Sequence, residues 1–454
     1  MTEITKNITG FVKHLGFTPT VEQTEAFEKI NDFLHSKEYD TFILTGAAGT
    51  GKTSMLKTVV NYLSTNDQPY VLLAPTGRAA GIISSKTGFP ASTIHSHLYR
   101  VVEKKDEDGN VLFIEFVKRQ NHQAKSYLYL IDESSMVGDT LNNQDFFTSK
   151  KPLLEDLIQY IREGHNNNKI IFIGDPYQLP PINADFSPAL SPEYLEKKYH
   201  LKTVSFELTE VKRQEENSYI LNNAIELRSG IINRRLSVNW RFESLQNEDQ
   251  IIRQYSQNLN NGSAGNSIFL AWKNVSINNL NNRLRKILGR NGNSLVPGER
   301  LILHQSNYAG TYLASGTFLI VDSIIRHPEE IAGFHFATVK LRKADSGELL
   351  PGTFTIDLDT LLSENGRVEG RNIRTLWHDR FKKNKQLRET KDARTDPYLS
   401  ALKVRYAYAI TTHKAQGGEW DHVYLYPELP FGTNGLRWLY TSVTRARKHL
   451  YSFH

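Results

Sequence analysis

Ten residues, Thr45-Gly46-Ala47-Ala48-Gly49-Thr50-Gly51-Lys52-Thr53-Ser54, combine glycines, a lysine and hydroxyls in a spacing suited to holding phosphate. Gly46, Gly49 and Gly51 can take backbone conformations closed to residues with a Cβ, so successive N–H groups turn inward toward phosphate oxygens. Lys52 adds a point charge for the β- and γ-phosphates, and the Thr53 hydroxyl suits Mg²⁺. The apolar run Phe42-Ile43-Leu44 precedes the loop and Met55-Leu56-Lys57-Thr58-Val59-Val60 follows it. That is a strand, loop and helix setting, with the anion at a helix N-terminus. A nucleoside triphosphate, ATP or GTP, with Mg²⁺ is the expected ligand, and residues Gly46 to Ser54 are its candidate contacts.

Two further strands must bring acid, base and sensor groups to that loop. Tyr127-Leu128-Tyr129-Leu130-Ile131 reads as a buried strand ending in Asp132-Glu133. Ligands of open α/β sheets sit at the carboxyl ends of the strands. Asp132 is placed to hold Mg²⁺ through its water shell, and Glu133 to orient and deprotonate an attacking water. Lys169-Ile170-Ile171-Phe172-Ile173 runs into Gly174-Asp175-Pro176-Tyr177-Gln178-Leu179-Pro180-Pro181. The Gln178 amide can bond the γ-phosphate or the water while its loop leads elsewhere, as a sensor should; the prolines stiffen the exit.

Other segments complete an ordered series: Gln23 in TPTVEQTEAF, APTGRAA at 74–80, STIHS at 92–96, IDESSM at 131–136, LTEVKRQ at 208–214, AWKNVSINNLNNRLR at 271–285, YAITTHKAQG at 408–417 and LYTSVTRARK at 439–448. On these segments the chain resembles the superfamily 1B DNA helicases of the RecD-like type, in the compact build of their Dda-like branch. The resemblance implies an α/β fold with two RecA-like P-loop motor domains. It also implies an inserted β-hairpin in the first and an inserted SH3-like β-barrel plus polar arm in the second. Hydrolysis would occur in the cleft between the motors. By position in the family motifs, Arg213 and Arg445 would neutralise charge on the γ-phosphoryl group, a task suited to a planar, permanently charged guanidinium. Gln23 would read the adenine edge, which favours ATP over GTP as the ligand. Pro75, Thr76, Arg78, Thr93 and His95 in the first domain, with Asn274, Thr412, His413 and Lys414 in the second, would hold single-stranded DNA through hydroxyls, amides, cations and stacking rings. His95 and His413 have no carboxylate cluster at ligand spacing, so Mg²⁺ is the only metal expected.

The implied domains are residues 1–212, with the hairpin at about 99–124, and 213–454, with the barrel and arm at about 294–400. Leu98 to Lys105, a Gly109-Asn110 turn and Val111 to Val117 carry the hairpin signal. Phe113 or Phe116 is the candidate wedge against the last base pair at a single-strand/duplex junction. Short strand-like runs at 297–303, 316–321, 337–341 and 352–358 suggest the barrel. Seven Lys/Arg against three acids between Asp379 and Arg394 mark the arm, either a solvated face or a phosphate contact.

A chain of 454 residues exceeds a single core, and its 39% hydrophobic residues suffice to build several. The excess of 55 Lys+Arg over 49 Asp+Glu permits a polyanionic partner. With no cysteine, disulfide frameworks and thiolate zinc sites are excluded. No apolar run is long enough for a bilayer and the N-terminal stretch lacks a signal core, so a soluble, cytoplasmic protein is expected; a monomer is the expected state. A loop starting at Gly46 leaves no room for the extended N-terminal domains of larger RecD-like proteins, which favours a stand-alone motor. The alternatives are an RNA helicase and an accessory P-loop ATPase of a recombination or repair complex.

Overall fold

The computed structural model describes residues 9–105, 111–141, 151–211, 219–260, 263–290, 292, 294–307, 309–363, 373–430 and 433–453. The chain divides into two compact units, one made of residues 1–102 and 114–235, the other of 103–113 and 236–454. The expected boundary near 212 lies outside the described residues, and this division falls between Arg235 and Leu236.

The first unit is organised by a parallel sheet in the order β3-β2-β6-β7-β1-β8. Its strands are β1 (Thr41–Gly46), β2 (Tyr70–Ala74), β3 (Ser92–Thr93), β6 (Leu128–Ile131), β7 (Lys169–Gly174) and β8 (Thr203–Leu208). These central strands read as continuous apolar runs because both faces are buried. Phe42, Leu44, Leu130 and Ile171 pack on one face, with α1 (Val21–His35), α2 (Lys52–Thr65) and α3 (Gly77–Thr87). Ile43, Tyr129, Ile131 and Phe172 pack on the other, against α4 (Leu153–Glu163). Strands β4 (Tyr99–Lys105) and β5 (Val111–Lys118) form a separate two-stranded sheet. At its base the Tyr99 hydroxyl donates to Asp156 of α4 at 2.7 Å, and Lys118 pairs with Glu163 at 2.5 Å.

The second unit holds a parallel sheet in the order β16-β10-β17-β18-β9. Its strands are β9 (Glu243–Leu245), β10 (Ser267–Ala271), β16 (Ala409–Thr411), β17 (Trp420–Leu425) and β18 (Ala446–Phe453). After α5 (Asn274–Ile287) the chain builds an antiparallel sheet of β11 (Arg300–Leu303), β12 (Phe318–Ile331), β13 (Phe334–Lys343), β14 (Phe354–Asp357) and β15 (Val404–Tyr406). Its edges meet at Leu402, just before β15: Leu402 N donates to Thr355 O at 2.7 Å, and Asp357 N to Leu402 O at 3.1 Å. β12 runs on to Ile331, beyond the segment 316–321 legible in sequence, because the register shifts of its pairing with β13 let largely exposed residues continue the ladder. The arm is helical over α6 (Ile373–Lys383), where Arg380 pairs with buried Asp396 at 3.0 Å. Among the described residues no helix is long and apolar enough to cross a membrane.

Gly174 ends β7 where a Cβ would lie 3.0 Å from the Ser135 backbone nitrogen and 2.9 Å from Leu190 Cδ1. Gly174→Ala should therefore cost about 1–3 kcal/mol, the usual range for overpacking. Urea denaturation checks this, and an unchanged midpoint would contradict it.

Candidate ATPase site and nucleic-acid interface

The phosphate loop joins β1 to α2 with Gly49 and Gly51 both at φ +88°, the left-handed region that glycine occupies without strain. Gly46 has no room for a side chain: a Cβ would stand 2.9 Å from Leu208 O and 2.7 Å from Thr50 Oγ1. Lys52 Nζ donates to Gly46 O at 2.6 Å and Ala47 O at 2.8 Å, so the ammonium lies over the loop it is expected to serve. Thr53 is half-buried in the first turn of α2, and Ser54 is exposed.

Gln23 is buried and both ends of its amide are engaged. Oε1 accepts from Thr20 N at 3.1 Å, completing a capping box at the start of α1, and Nε2 donates to Thr50 O at 3.0 Å. It therefore braces the phosphate loop from behind, and a Cβ on Gly51 would collide with its Nε2. The neighbouring Glu22 is a residue that sequence reasoning missed. Its carboxylate accepts from Thr209 N and Glu210 N, each at 2.7 Å, and from the Thr209 hydroxyl. Burial pushes its pKa up, but these hydrogen bonds outweigh that and hold it below the usual value. No local signal pointed to Glu22, because its partners are 187 and 188 residues away.

Asp132 follows β6 and is buried. Its backbone N–H donates to Leu73 O of β2 at 3.0 Å, and its Oδ1 accepts from Glu133 N at 2.8 Å. Burial, then the adjacent Glu133 charge, raises the Asp132 carboxyl to about 7, with Lys52 and Lys86 pulling the other way. Glu133 sits at φ +52°, a left-handed conformation uncommon for a side-chain-bearing residue. Two hard carboxylates at a strand end, with the Glu133 charge raising the proton affinity of Asp132, fit a divalent cation in chemistry, with Thr53 the further oxygen donor expected from the sequence. Among the described residues no group of three or more His, Asp or Glu could hold a metal by itself. Gln178 is buried one turn past β7, its N–H donating to Asp175 O at 3.3 Å. The two exit loops are fastened together. Ser187 Oγ donates to Ser135 O at 3.1 Å, while Asp139 accepts from the hydroxyls of Tyr194 and Tyr199 and from Lys198 Nζ, each at 2.6 Å.

The nucleic-acid candidates of the first unit sit at helix starts. Thr76 caps α3, accepting from Ala79 N at 3.2 Å, and Thr93 caps the short helix Ile94–Leu98, accepting from Ser96 N at 3.0 Å. Pro75 and Arg78 are half-buried beside them. Burial lowers His95 to about 4, so its ring is neutral near pH 7 and can offer stacking or a neutral hydrogen bond but no charge. Arg213 lies outside the described residues, as do the side chains of Phe113 and Phe116.

In the second unit Ala271 pairs with Thr411, which brings Trp272 and Thr412–Lys414 to one sheet edge. The His413 ring lies 5.4 Å from that of Trp272, another residue not anticipated, and burial depresses its pKa. Thr412 is buried, its hydroxyl 2.9 Å from Ser442 Oγ, whereas Lys414 and Asn274 are exposed. The start of α5 at Asn274 already holds an anion: Glu428 accepts from Trp272 N at 2.8 Å, Lys273 N at 2.6 Å and Ser276 Oγ at 2.7 Å. Arg445 is buried, its guanidinium donating to Thr441 O at 3.0 Å, Gly418 O at 3.1 Å and Thr444 Oγ1 at 3.2 Å.

Residues 19–252, more than half of the 454, match the family model described as AAA domain, and 406–451 match the UvrD-like helicase C-terminal domain. The ATP-dependent DNA helicase dda of Enterobacteria phage T4 is 27% identical over 94% of this chain and 97% of its own length. The ATP-dependent RecD2 DNA helicase of Deinococcus radiodurans is 32% identical over 31% of this chain and 16% of its own. In fold, the chain is similar to the Pif1 helicase from Bacteroides in complex with ADP-AlF3 and ssDNA, with a TM-score of 0.54 and 17% identity over 96% of this chain and 92% of that one. The chain belongs to the AAA domain family and is a superfamily 1B helicase close to the Dda type.

Gln23→Ala should lose roughly 1 kcal/mol of capping and a further ~1–3 kcal/mol for the Thr50 carbonyl left without its donor, with a raised KM for ATP. Unchanged stability and KM would contradict the bracing role. For Glu22, whose folded pKa is lowered, the stabilisation is present above its ordinary 4.5 and lost as pH falls through the folded value. The stability gap between the parent and Glu22→Gln should accordingly be open at pH 7 and close in acid. A gap independent of pH would contradict the assignment.

Proposed function

We propose that this protein is an ATP-dependent DNA helicase that tracks single-stranded DNA 5′→3′ and opens duplex at single-strand/duplex junctions. The observation that carries the reading is the convergence of Lys52, Asp132, Glu133 and Gln178 at the carboxyl edge of one parallel sheet, in a chain of helicase family. Lys52 would exchange the carbonyls of Gly46 and Ala47 for the phosphates. Glu133 would take a proton from the attacking water while Gln178 orients it. Thr53 and Asp132 would hold Mg²⁺, which when bound neutralises phosphate charge. Arg213 and Arg445 complete the set as cations for the γ-phosphoryl group, and Arg445 would give up part of its present bonding to serve. Gln23 would face adenine from its place behind the loop. Pro75, Thr76, Arg78, Thr93, His95, Asn274, Thr412, His413 and Lys414 would grip the strand, and a Phe113 or Phe116 wedge on the β4–β5 hairpin would split the last pair. The antiparallel sheet of the second unit corresponds in this reading to the SH3-like barrel. A cytoplasmic monomer acting in repair or recombination is part of the same proposal. The names of the dda and RecD2 relatives and of the Pif1 complex favour DNA over RNA.

Lys52→Ala should abolish ATP turnover, and Glu133→Gln should keep nucleotide binding while slowing hydrolysis by at least ~100-fold, the usual scale for a lost general base. Parental turnover in Glu133→Gln would defeat the site assignment. Two partial duplexes differing only in tail polarity, compared at several salt concentrations because phosphate contacts weaken with salt, test the direction. Opening of the 5′-tailed substrate is expected, and opening of the 3′-tailed one alone would refute the polarity.

A further inference from the structure

The antiparallel sheet is not a loosely tethered appendage of the second motor sheet. One hydrophobic core runs through both: Tyr255, Phe269, Leu280 and Leu284 of the motor layer pack in the same cluster as Leu301, Val321, Val339 and Leu341 of the inserted sheet. At the root, where the chain enters through β11 and returns through β15, these two strands pair directly, Leu301 opposite Tyr406.

A fully buried carboxylate, Glu299, locks that root. Its Oε1 accepts from Arg285 Nε of α5 at 2.9 Å, and its Oε2 accepts from the hydroxyl of Tyr408, on the returning chain, at 2.7 Å. Arg285 also donates to Gly292 O at 3.0 Å and Ser294 O at 3.1 Å and stacks 4.1 Å from the Tyr406 ring, while Arg290 bonds the Tyr408 hydroxyl. Asn281 of α5 grips the same segment, donating to Ala409 O at 3.0 Å and accepting from Tyr408 N at 3.0 Å and Ala409 N at 2.9 Å. A buried ion pair contributes little net stability but fixes geometry when each member is fully hydrogen-bonded. Here the fixed geometry lies at the start of β16, the strand that leads directly into Thr412, His413 and Lys414.

We propose that Glu299 is a positioning residue that couples strand grip to duplex opening. Through Arg285 and Tyr408 it makes β16 and the inserted sheet one body, so a displacement of the Thr412–Lys414 segment is delivered undiminished to the inserted sheet and its long β12–β13 hairpin. This inference rests on the helicase reading above and specifies how the second unit transmits the step. Without the clamp, hydrolysis and strand grip continue while part of each step is absorbed at the root.

The test uses Tyr408→Phe, which removes the hydroxyl and keeps the ring, and Glu299→Gln, which keeps shape and removes the charge. For the full chain, three quantities are measured: kcat and KM of ATP hydrolysis with single-stranded DNA, melting temperature, and base pairs opened per ATP hydrolysed on a tailed duplex. The expected result for Tyr408→Phe, measured below its own melting transition, is parental kcat and KM, a melting temperature lowered by the Glu299 oxygen left without its donor, and a several-fold loss in base pairs opened per ATP. Glu299→Gln should lose more, measured below its own melting transition. An unchanged opening per ATP in Tyr408→Phe overturns the proposal. So does a parallel fall of hydrolysis and opening at constant ratio, which would make the clamp part of strand grip alone. A parent that shows no DNA-stimulated hydrolysis would fail the helicase reading itself, a result distinguishable from either.

Discussion

Parallel strand register is the constraint on which the rest of this molecule depends. In the first unit Thr45 lies opposite Gly174, Gly46 opposite Leu208, and Ile131 opposite Phe172, so three chain segments far apart in sequence leave the sheet at the same level. The phosphate loop, the Asp132-Glu133 pair and the Gln178 loop inherit their proximity from that alignment. A one-residue slip would invert every side chain and misplace all three. The close approach of Gly46 to Leu208 O tightens the constraint, since any Cβ there would push the loop off β8. The second unit repeats the device, with Ala271 opposite Thr411 setting Trp272 beside His413.

Upon this frame the polar groups act as braces more often than as exposed reactants. Adjacent side chains at the start of α1 reach in two directions, Gln23 to the phosphate loop and Glu22 to the segment leaving β8. The exits from β6 and β7 are joined through Ser135, Ser187 and Asp139, so the loop that carries Glu133 cannot shift without the loop that carries Gln178. Thr76 and Thr93, placed among the strand-binding candidates by family position, also cap helix starts. Their hydroxyls would have to serve both tasks.

Legibility in the sequence followed the range of the interactions involved. The phosphate loop and the strands carrying Asp132 and Gln178 were legible because glycine spacing and buried apolar runs are local signals. The pairing of β4 with β5 was too. The full length of β12 was not, since its outer half is largely exposed and is held by pairing with β13. Glu22, Glu428 and Glu299 were invisible for the same reason: each is an ordinary acid in sequence and acquires its role from partners brought close by the fold. Arg445 was singled out by motif position alone, and its engagement with Gly418 and Thr441 could not be read there.

The central claim is that hydrolysis at this sheet edge drives directed movement along a DNA strand. Displacement of streptavidin from end-biotinylated single-stranded DNA tests it without a duplex, separating translocation from strand splitting. The account predicts ATP-dependent acceleration of displacement from the 3′ end and none from the 5′ end, with the acceleration lost in the Lys52→Ala protein. DNA-stimulated ATP hydrolysis with no acceleration at either end would contradict it and make the protein an ATPase that does not translocate.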